Sequence, residues 1–298
     1  MEWVSLLQMA INFMETHLLE DINYEDVAKQ VNLSSYNFHR TFSLMAGMTA
    51  NEYIKSRRLS LAGQELQLTN AKIIDIAYKY GYETPESFSK AFSRFHGVTP
   101  KQAKMKGTQL SLFNALLIKI TLEGGKVMDY RIEESGKQKF IAKVKAFLNE
   151  NINDESNHEI PDFWNDLKST QFLKKLQSMR PEGKRDLYGL CSPNKENETT
   201  FDYGIGILLD QDTVVPDEAV INKAGFQIWE TKPLTYVVFQ CFGDDGSCIA
   251  KMWGKFFKEF LPQSGYEHLE NTDYEVYYEV AKKELFCELW IPVKEKSI

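Results

Sequence analysis

A stretch of the first hundred residues repeats itself about fifty positions later, and any fold for this chain must accommodate that duplication. Phe38, Phe42, Gly47 and Thr49 return as Phe88, Phe92, Gly97 and Thr99, and Met45 is answered by Phe95. In each copy the apolar residues fall at i, i+4 and i+7, one stripe of a helix, and Gly then Thr follow at its end. Upstream, Val27, Ala28, Val31 and Leu33 match Ile76, Ala77, Tyr80 and Tyr82 at an offset one residue shorter, so the slip falls between helices, where a turn residue is cheapest. Two helix-turn-helix units are predicted, over about 23–46 and 72–96.

The first unit opens at Asn23-Tyr24-Glu25-Asp26, with acids in the first turn as a helix dipole favours. After a turn at Asn32-Leu33, Ser34 or Ser35 can cap a second helix whose Phe38, Phe42 and Met45 face the core. Tyr36, Asn37, His39, Arg40 and Ser43 are then expected outward. In the second unit Thr84 can cap, Pro85 suits the first helical position, and Glu86, Ser87, Ser89, Lys90 and Arg94 are left outside. Between the units 51–68 reads as one helix, about 27 Å long at 1.5 Å per residue, bearing Lys55, Arg57 and Arg58. Such a spacer suits two reading helices roughly one DNA turn, about 34 Å, apart. A helical repeat that binds protein is the alternative from the pattern alone.

Composition narrows the classes. With 43% apolar and 26% charged residues over 298 positions, the chain is neither disordered nor membrane-spanning, and it has room for two cores. Its longest apolar runs, 116–118 and 205–209, are far too short for a bilayer, and the start lacks a signal peptide, so a cytoplasmic protein is expected. Cys191, Cys241, Cys248 and Cys287 form no Cys-x-x-Cys pair, which predicts neither a disulfide framework nor a metal. Residues 1–110 carry 12 Lys and Arg against 11 Asp and Glu, and the remainder 23 against 31. Neither part is basic enough to announce nucleic-acid binding by charge alone.

After Lys106-Gly107 the helical period stops, and 107–127 reads as a linker with an alternating run at 116–122 and a turn at Gly124-Gly125. Beyond it lies a fainter duplication. Ile160, Phe163, Trp164 and Leu167 form a helical stripe that Ile249, Met252, Trp253 and Phe256 repeat at an offset of eighty-nine. Each helix follows a strand, near 140–146 and 234–242, and precedes two more, near 187–192 with 201–209 and 275–280 with 286–293. The fold class expected is therefore multidomain: an all-α tandem helix-turn-helix domain, then an α+β domain of two strand-helix-strand-strand repeats. Aligning Phe201 with Phe286 sets Tyr203 opposite Glu288, as Trp164 stands opposite Trp253. Phe286, Glu288 and Trp290 share one strand face, so a cleft of aromatics around one acid is expected, suited to a flat lipophilic cation. A solvated strand face with packed aromatics is the plain alternative.

Two resemblances bear on these expectations. Residues 1 to 106 resemble the DNA-binding domain of the AraC/XylS regulators through 76–82, Ser87-Phe88, Lys90-Ala91-Phe92, Phe95 and Gly97-Val98-Thr99-Pro100. The resemblance implies DNA contacts by Ser35, Tyr36, His39 and Arg40 on the first reading helix and by Glu86, Ser87, Lys90 and Arg94 on the second. Residues 128–298 resemble a gyrase-inhibitor-like effector domain through 160–164, 260–266 and 287–293. That likeness implies a ligand site at Trp164, Tyr203 and Glu288, with Glu288 meeting a cation, and the repeat and strand patterns add Trp253, Phe286 and Trp290 to the expected site. One departure is Gly243-Asp244-Asp245, where many relatives have Gly-Pro-aromatic. The implied protein is a nucleoid-associated regulator whose partners are double-stranded DNA, a small-molecule effector and RNA polymerase, with no cofactor. A protein-interaction module in the back half is one alternative. A hydrolase using Glu288 as base and Tyr203 as helper is another, although Ser, His and Asp show no supporting spacing. No catalysis is expected.

Overall fold

A computed structural model describes residues 2–118, 127–152, 157–178, 186–209, 218–280 and 283–296. The chain divides into two compact units, Met1–Glu123 and Gly124–Ile298.

The first unit is all helix: α1 (Glu2–Thr16), α2 (Tyr24–Gln30), α3 (Ser35–Ala46), α4 (Ala50–Leu68), α5 (Ile73–Lys79), α6 (Pro85–His96) and α7 (Pro100–Ala103). The repeated Gly-x-Thr has a physical cause in both copies. Gly47 and Gly97 end α3 and α6 in the left-handed region, at φ 70° and 74°, where a Cβ would be strained. Two residues later Thr49 and Thr99 open the next helices in capping boxes with Glu52 and Gln102. The tight turns before the second helices likewise place Asn32 and Gly81, equivalent in the duplication, at positive φ.

Helix α4 belongs to both halves of this unit. Tyr53 and Ile54 join α1, α2 and α3 in one core with Met14, Val27, Phe38 and Phe42. Leu59, Ala62 and Leu66 join α5, α6 and α7 in a second core with Ile76, Phe88 and Phe92. Two of its three cations are engaged within the unit. Arg57 donates to both Glu15 oxygens at 2.8 Å and to the Phe113 carbonyl at 2.6 Å. Arg58 donates to the Leu18 and Glu20 carbonyls. Lys55 stays exposed. Residues 108–118, expected as the start of a linker, run back along α4: the Phe113 amide donates to Ser60 Oγ and the Leu116 amide to Tyr53 Oη. No strand forms at 116–118, and the rest of that expected run, with the turn at Gly124-Gly125, lies outside the described residues.

The second unit begins with β1 (Arg131–Ser135) and β2 (Lys139–Leu148), then α8 (Glu159–Ser169), α9 (Phe172–Ser178), β3 (Leu187–Pro193) and β4 (Thr200–Leu209). It continues through α10 (Glu218–Lys223), β5 (Gln227–Glu230), β6 (Leu234–Phe242) and α11 (Ser247–Lys255), which a π-helical stretch extends to Phe260. α12 (Leu261–Gln263), β7 (Tyr266–His268), β8 (Asp273–Tyr277) and β9 (Leu285–Glu295) complete it. The expected strand-helix-strand-strand pattern is present twice, as β2-α8-β3-β4 and β6-α11-β8-β9. All pairings are antiparallel, in the order β1-β6-β9-β8-β3-β4-β2-β5 with β7 beside β9. The two repeats thus meet at the β3·β8 pair. β1 leads into β2 yet pairs with β6, and β5 leads into β6 yet pairs with β2.

Only residues 136–138 connect β1, at one end of the strand order, to β2 near the other, a reach of about 14 Å at most. The sheet must therefore curl until its ends approach. Beside that connection Gln138 and Thr231 extend the β2·β5 ladder past Lys139 and Glu230, the Thr231 amide donating to the Gln138 carbonyl and the Gln138 amide to Thr231 Oγ1. The inner face holds Phe140, Leu190, Tyr236, Val238, Tyr274 and Val276. On the outer face Ile141 and Ile207 pack beneath Leu176 of α9 and Ile221 of α10. The four thiols are unpaired by disulfide, and among the described residues no cluster of His, Cys, Asp and Glu is built for a metal and no helix is long and apolar enough to cross a membrane.

If Arg57 is a strut rather than a phosphate contact, Arg57→Ala should cost about 1.5–3 kcal/mol in urea unfolding, because it strands Glu15 with Tyr53. It should leave the salt dependence of DNA binding unchanged. Wild-type stability together with a flatter salt dependence would reverse the assignment.

Candidate functional site

On the first unit the two reading helices differ. In α6, capped by Thr84 and started by Pro85, the apolar face buries Phe88 and Phe92 while Glu86, Ser87, Lys90 and Arg94 are exposed. Lys90 and Arg94 stand one turn apart on that surface. In α3, capped by Ser34, the expectation of an outward set is not met: Ser35, Tyr36, Asn37, His39, Arg40 and Ser43 are all buried. Arg40 Nη1 donates to Tyr36 Oη at 2.6 Å, the Tyr24 ring meets His39 edge-on, and the Ser43 hydroxyl turns back onto the His39 and Arg40 carbonyls.

In the second unit the structure divides the residues expected to share one ligand site. Tyr203 of β4 lies opposite Cys191 of β3, which lies opposite Asp273 of β8. Glu275, two residues on, therefore shares the outer face with Tyr203, and it faces Leu289 of β9. Glu288 points to the inner face.

The outer-face group is built at the junction of the repeats. Glu275 Oε2 accepts from the Tyr203 hydroxyl at 2.7 Å and from the Tyr277 hydroxyl at 3.0 Å. Trp164 of α8 donates its indole N–H to Tyr203 Oη at 3.0 Å and meets the Tyr277 ring edge-on at 5.0 Å, and Phe286 meets the Tyr277 ring edge-on at 5.6 Å. Burial and the charge of Glu275 push both phenols well above their ordinary value of 10, so both remain protonated donors. Gly189 pairs with Glu275 in register, and a Cβ there would overlap both the Glu275 carboxylate and the Tyr203 hydroxyl.

On the inner face the cation expected for Glu288 is supplied by the protein itself. Arg131 of β1 donates to its two oxygens at 2.8 and 2.5 Å, and Tyr278 adds a third bond at 2.7 Å. The guanidinium lies 5.4 Å from the centre of the Trp290 ring, which stacks on Tyr274. Burial alone would raise the Glu288 carboxyl, but the bonds from Arg131 and Tyr278 hold it below its ordinary value of 4.5. Trp253 belongs to neither group: it is buried within α11's own core, stacked on Phe257 with Phe256 and His268 around it. Asp245 accepts from the Ser247 amide at the start of α11, so the acidic departure serves that helix end.

Glu275, Tyr277, Gly189 and Arg131 were not among the expected site residues. One signal was present. Glu275 and Tyr277 alternate along one strand, and a shift of eighty-six sets Glu275 against Gly189, a large acid where the other repeat has no side chain.

Comparison with known proteins gives both units counterparts. Residues 27–106 match a family described as a helix-turn-helix domain, and residues 131–293, more than half the chain, match the integron-associated effector binding proteins. The regulatory protein SoxS of Salmonella typhimurium is 36% identical over 95 residues, which are 32% of this chain and 89% of that one. An uncharacterised helix-turn-helix regulator of Bacillus subtilis, YbfP, is 37% identical over 100 residues, only 34% of its own length and 34% of this chain. Among solved structures, SAV2435 bound to tetraphenylphosphonium covers 56% of this chain and 94% of its own at 18% identity, with a TM-score of 0.44.

Since the folded Glu288 carboxyl titrates below its ordinary value, its pairing with Arg131 contributes stability that is complete above pH 4.5 and is lost as pH falls through the folded value. From about pH 6 to about pH 3 the urea midpoint of the wild type should therefore fall more steeply than that of Glu288→Gln. Parallel curves would show that the pair adds nothing to folding.

Proposed function

Because this chain belongs to the AraC/XylS family of transcription regulators and carries a gyrase-inhibitor-like effector-binding domain, we propose that its effector is a lipophilic aromatic cation received at Glu275. The reading rests on one observation: a carboxylate oriented by two tyrosine hydroxyls, walled by Trp164, Tyr203 and Tyr277, on the outer face where the repeats meet. Aromatic faces and a fixed carboxylate favour a charge-delocalised cation over a hydrated ammonium, because the rings replace little of the water that a compact ion holds. Glu288 lies on the inner face, bonded to Arg131, so we place the effector at the aromatic group of the outer face. The chain is a regulator rather than an enzyme, as its relatives are named.

Promoter contact is assigned to the second helices of the two units: Glu86, Ser87, Lys90 and Arg94 are exposed on α6, whereas Ser35, Tyr36, His39 and Arg40 on α3 are buried here and reach DNA only in a state that uncovers them. Helix α4, about 28 Å long at 1.5 Å per residue, spaces them on the scale of a DNA turn. The effector acts by binding unequally to the DNA-competent and incompetent states, and RNA polymerase reads the result.

Two measurements test this reading. The ethyl ester of rhodamine B, a flat aromatic cation, should bind the full-length protein with an anisotropy change, and Glu275→Gln should weaken it about tenfold. Glu288→Gln should change it by less than about twofold, as expected where the charge is already matched. Equal affinity of the wild type and Glu275→Gln would remove the proposed site. For DNA, Lys90→Ala and Arg94→Ala should each lower the slope of log affinity against log salt by about 1. Unchanged slopes would take α6 off the phosphates.

A further inference from the structure

Several lysines in the second unit have oxygen partners. Lys137 and Lys139 pair with Glu230, Lys294 pairs with Glu267, and Lys296 donates to the Leu261 and Ser264 carbonyls. Lys145 and Lys168 have no carboxylate within ion-pair distance among the described residues, although the remainder of the chain beyond residue 110 carries 31 acids against 23 cations. Both ammoniums instead lie over aromatic rings, and both rings lead to Tyr203. Lys145 stands 4.8 Å from the centre of Phe147, whose ring meets that of Tyr203 at 6.3 Å. Lys168 stands 5.8 Å from the centre of Trp164, whose indole N–H donates to Tyr203 Oη.

The register places these groups on the outer face with Glu275. Lys145 of β2 lies directly opposite Tyr203 of β4, on the same face by the antiparallel pairing, and is exposed, as is Lys168 on α8. Three strand spacings separate β2 from β8, about 14 Å at 4.8 Å each.

Resting on the assignment of the effector to Glu275, we propose that this effector is amphoteric: an aromatic compound with its cationic end at Glu275 and an anionic group at Lys145 and Lys168. An ammonium held over a ring keeps its charge and part of its water, so it offers an anion a partner without first breaking an ion pair. A carboxylate, sulfonate or phosphate at the end of the ligand supplies that anion. The lysines then select among aromatic cations: a plain cation gains nothing from them and meets two like charges at the site's edge.

Rhodamine B and its ethyl ester form a matched pair for the test, since they share the cationic ring system and differ in a carboxylate. Both are titrated into full-length wild type, Lys145→Gln/Lys168→Gln and Glu275→Gln at two salt concentrations. The expected result is that the ratio of rhodamine B affinity to ester affinity falls about fivefold in the double lysine variant and falls with salt in the wild type. An unchanged ratio, with Glu275→Gln still weakening both dyes, overturns the anion arm and leaves the effector site standing. If Glu275→Gln weakens neither dye, the site at Glu275 fails and the anion arm fails with it.

Discussion

At the centre of the curled sheet, Gly189 of β3 faces Glu275 of β8, and the outer-face site depends on that pairing. A buried polar group is stable in a fold only when its bonds are made, and Glu275 makes two of them by leaning into the space a side chain at 189 would fill. With any Cβ there, the Tyr203 hydroxyl and the carboxylate could not meet as they do. Trp164, which donates to the same hydroxyl, would then lose the group that fixes its indole against the sheet. The chain from helix α8 to strand β8 is thus a series of bonds whose geometry is set by an absent side chain. Because the glycine lies on one repeat and the acid on the other, the site is a property of their junction and of neither alone.

The first unit is organised by a different economy of charge. Its cations and anions are nearly balanced, and two of its arginines are spent inside the fold, on Glu15 and on the Leu18 and Glu20 carbonyls that follow α1. Arg57 links α4 to α1 and to the segment that runs back along α4, so one guanidinium joins three parts of the chain that are far apart in sequence. On α6 the exposed cations are few, Lys90 and Arg94 beside Ser87, and the role proposed for them rests on position rather than on quantity.

Much of this was legible in the sequence, for reasons that differ between the units. Duplicated helices declare themselves through a stripe that recurs every turn, and the Gly-x-Thr ends mark a left-handed stop and a capping box, both local devices. The strand-helix-strand-strand repeats were readable for the same reason. Strand register is not local. A shift by one residue exchanges the two faces of a strand, so placing Glu288 beside Tyr203 required a pairing that neither strand's own sequence states. Arg131 illustrates the same limit: it lies 157 positions from Glu288, and only the folding of β1 onto β6 brings them together. Likewise the partners of Arg57 and Arg58, Glu15 and the Leu18 and Glu20 carbonyls, lie about forty positions away and are not stated by α4's own sequence.

The exchange of β1 and β5 makes the second unit a closed knot of two ropes rather than two beads on a string. Each repeat lends the other a border strand, so neither can be cut away as a self-sufficient module. Expressed alone, 127–209 would hold β1 without β6 and β2 without β5, two raw edges seeking a mate. The mate most readily available would be another copy of the same piece. A sequence duplicated within one chain has in this way become an obligatory internal dimer, and its subunits can no longer be inherited, exchanged or lost one at a time.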